Sequence, residues 1–190
     1  MTSSDEAKTA ARARFGAARR ERSAADRATS RARICAHALD MVDATPGRCV
    51  AAYEPLPTEP GSVELLAAVV NRGSRVLVPH TLPDRDLDWR EWSPTSAAVL
   101  LGKAAIGDAD LILVPALAVA RDGTRLGRGG GSYDRALERR SAPARVWALI
   151  FDEEFVDTLP ADRWDVPVDG VIMPSGAVAV AGNGDVRRRR

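Results

Sequence analysis

A chain of 190 residues that is 45% hydrophobic and 28% charged carries enough apolar material for one buried core and has the composition of an ordinary soluble globular protein. Its net charge of +1 conceals a basic start, with nine basic against four acidic side chains in residues 1–35, an acidic body, and a terminal run of four arginines, Arg187 to Arg190. The acidic body and nine aromatic residues exclude an extended base-stacking surface, two cysteines exclude a disulfide framework, and the longest apolar run, Leu111 to Ala120, holds Pro115 and is too short to span a bilayer.

A cytoplasmic monomer acting on small molecules is therefore expected, with neither nucleic acid nor membrane as a partner. The N-terminus lacks the apolar segment of a signal peptide, and Cys35 and Cys49 read as buried thiols. Lys8 and Lys103 are the two lysines, so arginine abundance reflects overall composition as well as function.

In chain order, the Ala- and Arg-rich segment from Lys8 to Arg22 predicts a helix, and Ser23 with Asp26 three residues on predicts a capping box opening a second. Ala28, Ala32, Cys35, Leu39 and Val42 recur at steps of three and four as the apolar stripe of that helix, which Pro46-Gly47 ends. Cys49 to Tyr53 reads as a buried strand, followed by the proline-rich loop Glu54 to Gly61 and a helix from Val63 to Val70 capped by Ser62 and stopped at Asn71 to Gly73. Arg75 to Val78, ended by Pro79, completes a βαβ unit with parallel strands.

Leu87 to Trp92 fits an edge strand with Trp89 and Trp92 on opposite faces, and Asp110 to Val114 a buried strand. Leu100 to Asp110 carries no clear pattern. Tyr133 to Arg140 starts another helix, and Arg145 to Phe151 and Gly170 to Met173 are further buried strands. Strands alternating with helices predict a three-layer α/β/α protein with a mainly parallel sheet, ligands lying beyond the carboxyl ends of its strands. Residues 1–175 read as a single domain and 176–190 as a disordered basic tail.

The chemistry concentrates between a strand and a helix, in Gly123 to Arg135. Consecutive glycines let backbone N–H groups turn toward one point, a following helix adds its positive end, and Arg125, Arg128 and Arg135 can grip phosphate oxygens bidentately. The stretch has no lysine where a Walker A loop needs one, and it does not open directly off a strand as a dinucleotide fingerprint does. His37 and His80 have no Ser or Cys nucleophile in a recognisable motif, so a hydrolase triad is unsupported.

The run Arg-Leu-Gly-Arg-Gly-Gly-Gly-Ser-Tyr-Asp at Arg125 to Asp134 resembles the signature of the 5-formyltetrahydrofolate cyclo-ligase family, also called 5,10-methenyltetrahydrofolate synthetases, and the likeness extends over roughly Lys8 to Asp169. The resemblance implies a NagB/RpiA-like fold and a ligase that uses ATP and Mg²⁺ to convert 5-formyltetrahydrofolate to 5,10-methenyltetrahydrofolate. It implies that Lys8 and Arg12, one helical turn apart, reach the nucleotide phosphates together with Arg125, Leu126, Gly127, Arg128, Gly129, Gly130, Gly131, Ser132 and Tyr133. Arg125, Arg128 and Tyr133 take the catalytic roles. Glu54, Glu59, Trp89 and Tyr133 fall on the folate side, with Ser62 the hydroxyl of the Glu-x-x-Ser pattern. Asp134 and Asp165 are the implied Mg²⁺ ligands.

Two positions depart from the family pattern. Ser132 stands where a second aromatic precedes Tyr133, and Ala120 stands where an acid is usual, with Asp122 two residues away. They keep two alternatives open: a catalytically weakened folate- or nucleotide-binding module, and a sugar-phosphate isomerase-type α/β enzyme that uses the anion loop without ATP.

Overall fold

A computed structural model describes residues 3–45, 47–94 and 99–180. Among these residues, four helices, α1 (Ser3–Glu21), α2 (Ala24–Asp43), α3 (Val63–Asn71) and α4 (Ser132–Leu137), accompany ten strands. Seven strands form the main sheet: β1 (Cys49–Ala51), β2 (Arg75–Thr81), β3 (Leu87–Glu91), β4 (Leu111–Pro115), β7 (Arg145–Leu149), β9 (Gly170–Met173) and β10 (Gly176–Ala179). Their order is β10-β9-β7-β4-β1-β2-β3; the five inner strands are parallel and the two edges antiparallel. A second sheet of order β6-β5-β8 is built from β5 (Ala118–Ala120), β6 (Arg125–Leu126) and β8 (Phe155–Val156).

The inner strands are apolar on both faces because both are covered. Val50, Val76, Leu113 and Leu149 pack against Ile34, Ala38 and Val42 of α2 and Leu65, Leu66 and Val69 of α3. Ala51, Leu77, Ile112 and Ala148 face Ile106, in the 3₁₀ turn Lys103–Asp108, and Ala136 and Leu137 of α4. The three-layer arrangement and mainly parallel sheet are as expected. Trp89 and Trp92 fall into opposite layers, and β3 is the edge strand.

Several boundaries differ from the sequence reading for identifiable reasons. Ser23 caps α2 by accepting from the Asp26 N–H at 3.1 Å, but the buried stripe is Ser30, Ile34, Ala38 and Val42; Ala28 and Ala32 are exposed, and Cys35 and Leu39 flank the stripe half-buried. Alanine fits either face of a helix, so bulkier Ile34 sets the rotation. Pro46 lies outside the described residues; Gly47 beside it takes φ +134°.

Strand β2 runs through Pro79. The Trp92 N–H donates to the Val76 carbonyl, so the even-numbered residues of β2 bond to β3, and Pro79 faces the side where β1 has already ended opposite Leu77. Gly176–Ala179, read as tail, forms edge strand β10 because Pro174-Ser175 turns the chain back onto β9. The rest of the expected tail from residue 181 on, including Arg187 to Arg190, lies outside the described residues. Burial pushes the Cys49 thiol up to about 11, and both cysteines are free thiols.

Helix α1 joins neither face of the main sheet. Phe15 packs on Leu117, Ala118 and Leu126 beside the small sheet. Arg19, 3% exposed, donates through Nε and Nη2 to the two carboxylate oxygens of Glu154 at 2.6 and 2.7 Å and also to the Ala116 carbonyl. Glu154, 2% exposed, accepts the Phe151 N–H as well. Breaking such a pair strands a buried charge, so Glu154→Ala is expected to lower the unfolding free energy by about 3–5 kcal/mol in urea titrations, and a loss under about 1 kcal/mol would contradict this anchor.

Candidate active site

The carboxyl ends of β2 and β4, the loop after β1, helix α1 and the glycine stretch surround a cleft of about 480 Å³. Its walls include Pro79 and Thr81 from β2, Leu87 opening β3, and Pro115 to Leu117 leaving β4. Successive connections leave β1 toward β2 on one side and β4 on the other, the reversal at which open α/β sheets form their ligand crevice.

Charged residues reach the cleft from α1 because Lys8, Arg12, Phe15 and Arg19 follow each other at steps of four, three and four and share a helix face. Lys8 is buried and donates to Asp162 Oδ2 at 2.7 Å and Asp165 Oδ2 at 2.6 Å. Burial opposes its charge, but the hydrogen bonds and charges of the two aspartates outweigh that effect and raise its pKa. Arg12 Nε donates to the Gly127 carbonyl at 3.1 Å and ties α1 to the glycine stretch.

Within that stretch, Gly129 has φ +100° and Gly131 has φ +63°, conformations that side chains resist; a Cβ at Gly129 would also lie 3.3 Å from the Arg12 guanidinium carbon. Gly131 hands the chain to α4, whose six residues make only a short helix. Arg125 is fixed by the antiparallel pairing of β5 with β6. Its side chain is 4% exposed, its Nη2 donates to Asp134 Oδ1 at 2.7 Å, and its guanidinium carbon lies 5.8 Å from the Tyr133 ring centroid.

Two polar atoms on cleft-lining side chains are buried without a partner, Arg125 Nε and the Tyr133 hydroxyl. Burial, partly offset by the Arg125 charge, raises the Tyr133 pKa, so this hydroxyl is a neutral donor and acceptor. An orphaned donor beside a wall of glycine backbone suits an anionic, oxygen-rich ligand. Opposite, Glu59 is 4% exposed; its Oε2 accepts the Leu56 N–H at 2.9 Å, and its Oε1 lies 3.6 Å from Arg128 Nη1.

The cleft thus gathers Lys8, Arg12, Glu59, Arg125 to Asp134 and Asp165 from distant parts of the sequence. It leaves out Glu54 and Trp89. Glu54 sits outside the cleft, paired with Arg90 Nη2 at 2.6 Å, and Trp89 has no exposed surface because α4 and the 3₁₀ turn cover the inner face of β3. Arg135 donates to the Arg85 carbonyl at 2.6 Å and does not line the cleft. Ala120 is fully buried in β5, and Asp122 accepts the Thr124 N–H in a turn, so it does not stand in for an acid at position 120.

Three charged cleft residues went unread in the sequence: Asp5, Arg19 and Asp162. Extending the Lys8–Arg12 spacing by seven residues reaches Arg19. Asp162 had a weaker signal, a second acid one turn before Asp165, and its N–H donates to Asp165 Oδ2 at 2.7 Å. Asp134 and Asp165 offer hard carboxylate oxygens suited to Mg²⁺. No group of three or more His, Cys, Asp or Glu is placed to hold a metal ion among the described residues, so an ion held by these two acids would complete its shell with ligand oxygens and water.

Fold and cleft together define a three-layer α/β protein with a cleft lined by arginines, Lys8 and glycine backbone at the carboxyl edge of its sheet. The model of the 5-formyltetrahydrofolate cyclo-ligase family matches residues 4–174, and the chain belongs to that family. It is 42% identical over 151 residues to the 5-formyltetrahydrofolate cyclo-ligase of Mycolicibacterium smegmatis, covering 70% of this chain and 78% of that one. Among solved structures, the 5,10-methenyltetrahydrofolate synthetase of Mycoplasma pneumoniae superposes with a TM-score of 0.75 at 23% identity over 87% of this chain and 97% of its own. The Aquifex aeolicus 5,10-methenyltetrahydrofolate synthetase gives 0.73 at 21% identity over 92% and 93%. At these identities the superpositions speak for the fold.

The Lys8 hydrogen bond lowers the pKa of Asp162, so the stabilisation from this pair is complete above the ordinary aspartate value and is lost as pH falls through the lowered one. The stability difference between wild type and Asp162→Asn is expected to hold steady from about pH 5 to pH 9 and to shrink progressively as pH falls below the ordinary aspartate range. Urea titrations across that range check it; a difference that persists in acid would show that the pairing is not its source.

Proposed function

We propose that this protein converts 5-formyltetrahydrofolate and ATP to 5,10-methenyltetrahydrofolate, ADP and phosphate. The observation that carries the reading is the buried, unpartnered Arg125 Nε and Tyr133 hydroxyl in a cleft walled by the glycine stretch and by Lys8 and Arg12. Family membership and the names of the relatives support the same reaction.

A formyl amide oxygen is a weak nucleophile and a poor leaving group. In the proposed reaction it attacks the γ-phosphorus and ADP departs, leaving a phosphate ester on an iminium carbon. N10 of the folate then attacks that carbon, loses its proton, and the former formyl oxygen leaves with inorganic phosphate. Positioning and charge neutralisation suffice for these steps.

The glycine amides, Leu126, Ser132, Arg128, Lys8 and Arg12 would hold the triphosphate. Arg125 would meet the transferring phosphoryl group through its free Nε, and the Tyr133 hydroxyl would donate to an oxygen beside it. Ser132, where the family pattern has an aromatic, supplies a hydroxyl at the cleft wall. Glu59 would accept from the pterin ring N–H groups opposite. Asp134 and Asp165 would hold Mg²⁺, which neutralises phosphate charge when bound. Lys8 and Arg125 would then exchange carboxylate partners for phosphate oxygens. The substrates are soluble metabolites, and the reading is of a cytoplasmic monomer.

Purified protein with 5-formyltetrahydrofolate, ATP and Mg²⁺ is expected to generate the ultraviolet absorption of the methenyl product. No product together with a ligand-induced thermal shift would favour a binding module. A shift with sugar phosphates alone would favour an isomerase-type enzyme. Arg128→Ala and Lys8→Ala are each expected to lower kcat/KM for ATP by about 10- to 100-fold with folate binding largely kept, as for a lost charge-assisted hydrogen bond; equal loss for both substrates would overturn these assignments.

A further inference from the structure

Arg31, on α2, aims its guanidinium at the backbone of the proline-rich loop. Its Nε donates to the Glu59 carbonyl at 3.0 Å, and its Nη2 reaches the carbonyls of Glu59 at 2.8 Å, Pro57 at 2.7 Å and Leu56 at 3.3 Å. One side chain thereby gathers three carbonyls of residues 56–59. It lies outside the lining of the cleft.

The loop needs such a donor for a reason legible in its composition. Pro55, Pro57 and Pro60 supply carbonyls but no N–H groups, so the segment holds more acceptors than its own backbone can satisfy. Convergent carbonyl dipoles repel one another, and a guanidinium with donors in a fixed fork both neutralises and spaces them. The loop's own bonds are few. The Glu59 N–H donates to the Leu56 carbonyl at 2.9 Å, and the Leu56 N–H returns to Glu59 Oε2 at 2.9 Å.

These bonds close Leu56 to Glu59 into a turn with Arg31 behind it and the Glu59 carboxylate in front. Glu59 Oε2 is occupied by the turn, which leaves Oε1 as the oxygen lying 3.6 Å from Arg128 Nη1. The same Glu59 offers its carbonyl to Arg31 and its side chain to the cleft, so the position of the guanidinium dictates the position of the acid.

We infer that Arg31 is a positioning residue for the folate side of the site, fixing Glu59 through the loop backbone without touching substrate. The inference rests on the reading above in assigning Glu59 to the pterin. The α2–loop contact sets folate affinity separately from nucleotide affinity, which is set by α1 and the glycine stretch.

Arg31→Ala and Arg31→Lys test it with steady-state kinetics and amide hydrogen exchange. Arg31→Ala is expected to raise KM for 5-formyltetrahydrofolate about ten-fold, with KM for ATP and kcat at saturation within about two-fold of wild type. Arg31→Lys should fall between, because its ammonium keeps the charge and three donors but lacks the second nitrogen with which the guanidinium fork doubles its hold on the Glu59 carbonyl. Amides of residues 54–61 should exchange faster in Arg31→Ala, with those of β1 unchanged. An equal rise in both KM values, or unaltered exchange in the loop, would overturn the inference. Arg31→Lys carries the comparison should Arg31→Ala fail to fold, and the exchange measurement decides whether Arg31 holds the loop even if the wild-type chain proves inactive on folate.

Discussion

The buried Arg19–Glu154 pair is the contact on which the site depends. It fixes α1 against the segment after β7 and, through the Ala116 carbonyl, against the end of β4. Helix α1 has little apolar surface to offer, Phe15 being its one large buried hydrophobic side chain, so a bidentate ion pair in a water-excluded place sets its angle and depth. Lys8 and Arg12 reach the cleft because Arg19 is seated. A helix held only by Phe15 and Ala11 could slide along the small sheet and carry both cations away from the glycine stretch.

Charge balance in the cleft follows from that seating. Lys8 is neutralised by Asp162 and Asp165, Arg125 by Asp134, and Glu59 has Arg128 within 3.6 Å. Lys8, Arg125 and Glu59 are buried and would each be costly to leave unpaired, a cost that these partners offset. Of these residues, the proposed function assigns Lys8, Arg125 and Arg128 to phosphate and Asp134 and Asp165 to Mg²⁺. On that reading, entry of a triphosphate with its metal would replace one set of ion pairs by another, at less desolvation cost than exposing bare charges.

Two sheets divide the work. The main sheet supplies a rigid carboxyl edge, where β2 and β4 deliver Thr81 and Pro115, and the small sheet holds Arg125 through the β5–β6 pairing. Glu59 hangs from the loop after β1, backed by α2. Both halves of the cleft therefore rest on elements packed in separate hydrophobic clusters, and the ligands proposed to bind there would meet where those elements converge.

The chain alone determined the alternation of strands and helices, the caps at Ser23 and Ser62, and the glycine stretch with its arginines, because these rest on apolar periodicity and local backbone preference. It also sufficed to bring Lys8, Glu59, Asp134 and Asp165 into view through likeness to a family. Tertiary structure decided what local patterns could not carry. The two-residue strand β6 and the three-residue β5 are too short to show a period, and α2 turned its Ile34 face inward where alanines left the choice open. Trp89 went into the core and Glu54 to Arg90, since an edge strand and a loop acid take their surroundings from elements far along the chain. Arg19 and Arg31 look in the sequence like two more arginines among many; only packing gives one a buried glutamate and the other three carbonyls.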